Sequence, residues 1–230
     1  MATYENLHGK RVNVVSANPS NPGDGEVWYN STLGQLKAVI ATSAGAWATG
    51  GSLPAARQYG GLAGTQTAAI FAGGQSPGSY NNNNSYSYNG SSWTATPNLG
   101  TSRRQATMMG ISTSALLAGS GTSPPSTGIT TVEEWDNSSW TAGGSIATLR
   151  YGNFSGGTQT AAVIAGGSGP SDYFDDTEEY NGSSWTTVTN MPGNQGGGTS
   201  GADLQTDMYC VAGGPGNKTT SVVYDGTNWT

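Results

Sequence analysis

Tyr88-Asn-Gly-Ser-Ser-Trp-Thr94 occurs again, unchanged, at residues 180–186. Looser copies are Trp135-Asp-Asn-Ser-Ser-Trp140-Thr141 and Tyr224-Asp-Gly-Thr-Asn-Trp229-Thr230. In all four an aromatic residue stands five positions before a tryptophan. Asn-Gly or Asp-Gly follows the aromatic in three of them. That dipeptide accepts positive φ and so favours a tight reversal between two strands. Asp136-Asn137, in the remaining copy, is a weaker form of the same turn chemistry.

A second signature precedes each copy. It is a short apolar run ending in small residues: Ile70-Phe-Ala-Gly73-Gly74, Leu116-Leu-Ala-Gly119-Ser120, Val163-Ile-Ala-Gly166-Gly167 and Cys210-Val-Ala-Gly213-Gly214. Gly73, Gly119, Gly166 and Gly213 lie 46, 47 and 47 apart, and Trp93, Trp140, Trp185 and Trp229 lie 47, 45 and 44 apart. Two signatures on one period mean one structural unit repeated, and a period in the forties points to propeller blades or a similar array. Gly-Thr-Gln-Thr-Ala-Ala, verbatim at residues 64–69 and 157–162, belongs to the same period.

Each unit reads as four strands. A Gly-rich segment (58–65, 105–112, 151–158, 195–202) leads into the apolar strand. A variable loop, a strand ending in Tyr or Trp, the turn and a Trp-Thr strand follow. The expected fold is all-β, a propeller of four-stranded blades. Its first strands would line the axis, where small residues let blades approach closely. Each repeated Trp is expected between neighbouring blades, supplying much of the core, at a cost of roughly 3–5 kcal/mol on replacement by Ala.

Residues 1–50 depart from this pattern. Arg11-Val-Asn-Val-Val15 reads as a short strand. Residues 26–29, 35–40 and 46–48 read as a three-stranded meander. Trp47 stands 46 before Trp93, in phase with the later series, but no Ala-Gly-Gly signature precedes it. The segment is therefore either a divergent first blade or a separate attachment module, with residues 51–230 forming the regular repeats. Counting the divergent blade gives five in all; the regular units alone give four. The chain stops barely into the last strand of the last unit, so either residues 1–50 or a partner chain would meet the open edge.

Composition narrows the function classes. Of 230 residues only 10% are charged, 37 are Gly, and the net charge is −6 with 8 Lys plus Arg. No basic patch suits nucleic acid. No apolar stretch is long enough for a transmembrane helix, and the N-terminus lacks a signal-peptide pattern. These features lead us to expect a protein made in a reducing cytoplasm. The single Cys210 sits in an apolar strand and reads as a buried small residue.

No catalytic constellation emerges. One His, His8, and one Cys cannot form a zinc site or a copper-radical centre, so neither metal nor cofactor is expected. The acidic stretch Asp172-Tyr-Phe-Asp175-Asp176-Thr-Glu178-Glu179 reads as a solvated loop, with Glu178 and Glu179 on a strand and their side chains on opposite faces, and with a weak Ca²⁺ site or a carboxylate pair as rarer readings. Recognition is the better expectation. The loops after the small-residue signature (75–84, 122–126, 168–174) vary most and should emerge on one face. Tyr80, Asn82, Tyr173 and Phe174 there suit stacking on sugars and bonding to hydroxyls.

The Gly-Gly strand, the Tyr strand and the Trp-Thr strand, closest to pattern in Ala162-Val-Ile-Ala-Gly-Gly167, Glu179-Tyr180 and Trp185-Thr186, resemble kelch repeats. A narrower resemblance is to virion structural proteins of marine tailed bacteriophages. It is carried by these repeats and by the opening Asn18-Pro-Ser-Asn-Pro-Gly-Asp-Gly-Glu-Val-Trp-Tyr-Asn-Ser-Thr-Leu-Gly-Gln-Leu-Lys37. The resemblance implies a non-enzymatic protein on the virion surface, assembled in the host cytoplasm. Its implied partners are other virion proteins, further copies of itself and a host-surface glycan. The expected role is a tail fibre or appendage module for host attachment. A capsid or tail decoration protein and a soluble sugar-binding lectin are the alternatives.

Overall fold

A computed structural model describes residues 12–20, 26–38, 48–121 and 128–230. Trp47 and the loop at 122–126 lie outside the described residues, as does His8. The described residues are all-β, without a helix, and the chain divides into two compact units, residues 1–49 and 50–230.

Among the described residues the first unit holds three strands, β1 (Asn13–Val15), β2 (Val27–Asn30) and β3 (Gln35–Ala38). The β2–β3 hairpin is the one expected from the sequence. β1, however, pairs with β2 in parallel. Residues 16–26 supply the long connection that a parallel pair requires. Trp28 is buried, and its Nε1 donates to Asn18 Oδ1 at 3.3 Å, as does Asn30 Nδ2 at 2.9 Å. Val14, Val27, Tyr29 and Leu36 share the opposite face and are all exposed.

The second unit contains four sheets in chain order. Sheet I is β4 (Gly61–Thr65), β5 (Ala68–Ala72), β6 (Ser85–Tyr88) and β7 (Trp93–Thr96). Sheet II is β8 (Thr107–Ile111), β9 (Ser114–Ala118), β10 (Val132–Trp135) and β11 (Trp140–Gly143). Sheet III is β12 (Phe154–Gly157), β13 (Ala162–Ala165), β14 (Thr177–Tyr180) and β15 (Trp185–Thr187). Sheet IV has β16 (Thr199–Gly201), β17 (Met208–Val211) and β18 (Ser221–Tyr224). Beside β18, Thr230 bonds Val223 in both directions. Every sheet of this unit is an antiparallel meander, and none closes on itself.

The repeated turn works as its chemistry requires. In sheet I the Asn89 side chain accepts the Ser91 and Ser92 amides at 3.0 and 2.9 Å, and Gly90 takes φ +91°. Asp136, Asn181 and Asp225 do the same in the other sheets. These bonds hold Asp136 down at a pKa of about 2, chiefly through the Ser138 hydroxyl. The turn sets the aromatic opposite its Trp: Tyr88–Trp93, Trp135–Trp140, Tyr180–Trp185 and Tyr224–Trp229 rings lie 4.9, 5.3, 4.9 and 5.0 Å apart.

The sheets pack face to face through one recurring layer. Ile70, Ala72 and Leu99 meet Ala115, Leu117 and Trp135 between sheets I and II. Leu116, Ala118 and Val132 meet Ala162, Ile164 and Tyr180 between II and III. Phe154, Val163 and Ala165 meet Met208, Cys210 and Tyr224 between III and IV. Burying each large aliphatic contributes about 1.5–3 kcal/mol. Trp140, Trp185 and Trp229 do pack on the preceding sheet, where Trp140 Nε1 reaches Ser85 Oγ at 3.1 Å, whereas Trp93 lies against Phe71 of its own sheet and donates to the Gly51 carbonyl. The expectation that the repeated Trp residues supply much of the core needs correction. Trp93, Trp140, Trp185 and Trp229 are half-buried lids, while the third-strand partners Trp135, Tyr180 and Tyr224 are fully buried.

Glutamines fasten one sheet to the next. Gln159 Nε2, in the turn before β13, donates to the carbonyls of Ala115 (3.1 Å) and Trp135 (2.7 Å) in sheet II. Gln205 does the same to Ala162 (2.7 Å) and Tyr180 (2.9 Å) in sheet III. Tyr180 and Tyr224 add hydroxyl bonds to Glu134 and Glu179 of the preceding sheet. The first strands also lie side by side in the order β4, β8, β12, β16. Thr107 bonds Ser155 at 2.6 Å, and Ser200 bonds the Ser155 amide at 2.9 Å. Ala63, Met109, Gly156 and Gly201 from the four strands line one cavity of about 460 Å³. A Cβ on Gly156 would collide with that of Ala202, so the small residues expected in the first strands do permit close approach.

The glycine after the apolar strand is required by the following repeat. Gly73, Gly119 and Gly166 take φ +74°, +63° and +58°. A Cβ at Gly73 or Gly119 would lie 2.8 Å from the carbonyl of Arg103 or Arg150, and at Gly166 it would strike the Gln195 carbonyl. In sheet IV, counting glycines misplaces the unit by one residue. The pairing of Met208 with Tyr224, as Ala162 with Tyr180, puts Ala212 (φ +60°) at this position and aligns Gly213 with Gly167.

Candidate functional site

The variable loops join the second and third strand of each sheet, and each is tied to the segment that approaches the next sheet. The tie is a repeated residue: Arg103, Arg150 and Gln195. Their carbonyls accept the amides of Gly74, Ser120 and Gly167, which end the preceding apolar runs. The Arg103 and Gln195 amides donate to the carbonyls of Asn82 and Phe174, and Arg150 bridges Ile129. Arg57, 46 residues before Arg103, begins the series.

Sequence reasoning passed over this series because each member stands in a Gly-rich or polar stretch. Its spacings of 46, 47 and 45 were nevertheless readable. Arg103 and Arg150 are both 0% exposed. Arg103 Nη2 bonds Glu133 Oε1 at 2.5 Å, and its Nη1 bonds the Thr131 carbonyl at 2.9 Å. Arg150 Nη2 bonds Glu178 Oε1 at 2.6 Å, and Nη1 bonds the carbonyls of Gly166 and Asp176 at 3.0 and 2.8 Å. Burial pulls both guanidinium pKa values down, and the partner carboxylates pull them back up. The carboxylates in turn accept backbone amides, Gly100 at 2.7 Å on Glu133 and Ala147 at 2.8 Å on Glu178.

This corrects the reading of residues 172–179 as a solvated acidic loop. Glu178 is 1% exposed and structural, because the Arg150 charge compensates it. Glu179 points to the other face and accepts the Tyr224 hydroxyl at 3.1 Å. Cys210 is buried, and burial raises its thiol pKa to about 12. Among the described residues no three His, Cys, Asp or Glu side chains gather as a metal site would need.

The proposed recognition residues fall on two loops, those of sheets I and III. Tyr80 is 55% exposed, with the Arg104 guanidinium 5.8 Å from its ring centre. Asn82 is turned inward, its Nδ2 donating to the Gly74 carbonyl at 3.1 Å and to Ser76 Oγ at 3.3 Å. Asn82 therefore shapes the loop. Phe174 occupies the equivalent backbone position in sheet III and lies over Arg150, with Gly169 beneath it. Tyr173 rests against Gly214 of sheet IV.

The sheet I loop closes on itself through paired Ser76 and Ser79 and walls a cavity of about 560 Å³. Arg57, Gln58, Gln75, Ser79 and Tyr80 line it. Its volume falls in the range of small-ligand sites. No model of a known protein family matches the chain, and no curated protein sequence matches it.

Proposed function

We propose that the chain is a kelch-like β-propeller protein carried on the surface of a tailed phage particle. In this reading it acts without catalysis as an appendage module that holds host-surface glycans. Four sheets with adjoining first strands around a shared cavity support the propeller reading. The observation that carries the binding role is the sheet I loop. It is pinned to the next repeat at its base, and its lining combines hydroxyl, amide and aromatic groups with the Arg57 guanidinium. Such a lining suits sugars, and many copies on one particle would multiply a weak affinity. The exposed stripe of Val14, Val27, Tyr29 and Leu36 supports use of residues 1–49 as the part that meets other virion proteins.

The test is adsorption. Purified chain should label host cells, slow phage adsorption in competition, and be found by mass spectrometry in washed particles. Absence from particles, or failure both to compete and to bind any glycan on an array, would overturn the proposal. Many copies spread over the shell, with no competition, would instead favour the decoration role.

A further inference from the structure

The series Arg57, Arg103, Arg150, Gln195 has a partner series on the third strands: Tyr86, Glu133, Glu178, Val222. Each partner is the second residue of β6, β10, β14 or β18. Where the first series supplies a buried cation, sheets II and III supply a carboxylate. Where it supplies the neutral Gln195, sheet IV supplies Val222. Sheet I alone keeps the cation and lacks the acid. Arg57 Nη1 donates to the Ala56 carbonyl at 3.0 Å, and Nη2 to Asn84 Oδ1 at 2.8 Å and the Tyr86 hydroxyl at 3.4 Å. Its Nε is buried without an acceptor. A guanidinium carries five N–H donors, so two remain unused here. Among the described residues no carboxylate pairs with Arg57.

Arg57 also lines the cavity of about 560 Å³ under the sheet I loop. Among the described residues, that lining contains no Asp or Glu, although the chain as a whole carries a net charge of −6. We infer that the cavity binds the carboxylate of an acidic sugar, a uronate or sialate residue, with Arg57 in the role that Glu133 and Glu178 assign to its counterparts. A guanidinium recognises a carboxylate through charge-assisted bonds, here from the Nη1 N–H left unused, since Nε is enclosed. Gln58, Gln75 and Ser79 offer donors and acceptors to ring hydroxyls, and the exposed ring of Tyr80 offers a stacking face. A peptide carboxylate fits less well, because the loop pairs its Ser76 and Ser79 backbone with itself rather than offering it to an added strand. This inference rests on the glycan-binding reading and narrows it.

Calorimetric titration with uronate- and sialate-bearing oligosaccharides, each beside its methyl ester, tests it. An acidic peptide of matched charge serves as the third probe. The acid forms should bind about tenfold or more tightly than the esters, the worth of a hydrogen bond to a charged group. Arg57→Gln should abolish that preference while its circular dichroism and melting stay near wild type, since sheet IV carries Gln at this place. Tyr80→Ala should weaken acid and ester alike. Equal binding of acid and ester, or a preference that survives Arg57→Gln, overturns this inference and leaves the glycan reading standing. Binding of no sugar in either form overturns both, and so does binding of the peptide alone.

Discussion

Replacing Glu178 with Val should destabilise the protein severely, and adding Arg150→Gln should restore most of the loss. The single substitution removes the acceptor at 2.6 Å from Arg150 Nη2 and at 2.8 Å from the Ala147 amide. It leaves a guanidinium of 0% exposure facing a methyl group. Breaking a buried pair this way costs about 3–5 kcal/mol. Arg150→Gln alone strands the Glu178 carboxylate at a similar cost. If the two effects were independent, the double variant would lose roughly 6–10 kcal/mol, twice the single cost. The double variant instead reproduces Gln195 with Val222, the combination sheet IV uses. It lacks the acceptor for the Ala147 amide, about 1–3 kcal/mol, and the Arg150 donor to the Asp176 carbonyl, a loss it shares with the Arg150→Gln single variant. A coupling of at least about 3 kcal/mol is therefore expected. Urea denaturation followed by tryptophan fluorescence measures all four corners, provided the slope with denaturant is unchanged. A double variant whose loss equals the sum of the singles would refute the assignment of Arg150 and Glu178 as one unit.

Three further predictions rest on the repeats. Trp229→Phe should cost about 1 kcal/mol more than Trp185→Phe, because Trp229 Nε1 donates to Thr177 Oγ1 and the Thr189 carbonyl while Trp185 Nε1 is buried without an acceptor; equal losses by chemical denaturation would contradict this. Gly166→Ala should destabilise by about 2 kcal/mol or more, since the new Cβ strikes the Gln195 carbonyl, whereas Ala212→Gly should be neutral or raise the melting temperature by relieving φ +60°. Stability should fall on the alkaline side, because the fold favours the neutral forms of Tyr180, Tyr224 and Cys210. Burial comes first as the cause in all three, aided at the tyrosines by bonds to Glu134 and Glu179. Groups raised from 10.0 to about 12 (Tyr180) and from 9.0 to about 12 (Cys210) contribute fully below their ordinary values. That contribution drains away as pH climbs from about 9 through about 12. Melting curves across this window, read beside tyrosinate absorbance, check it.

The repeated turn and the four-strand unit were legible because local chemistry dictates them. An Asn or Asp that caps two amides, followed by a residue at positive φ, leaves little choice to the chain between Tyr88 and Trp93. The paired charges were not legible from any one repeat. Arg150 and Glu178 sit 28 residues apart, and only folding the sheet brings them together. Glu178 was read with its acidic neighbours, when its decisive neighbour was a cation on another segment. Depth of burial was equally hidden, because Trp185 and Tyr180 occupy one cross-strand pair and the sequence does not say which ring lies underneath. Of the loop residues, Tyr80 lines a cavity, whereas Asn82 spends its amide on the loop itself. An Asn in a polar run looks the same in either role.

The glutamine clamps have a consequence for how such a chain can change. Gln159 and Gln205 grip carbonyl oxygens, which every residue type possesses, so the joint between sheets is blind to the side chains it spans. Mutation can then rewrite the loops freely without dismantling the assembly. A whole unit can be gained or lost by duplication or deletion, because any newcomer with the same pleat already presents the handle its neighbour must hold.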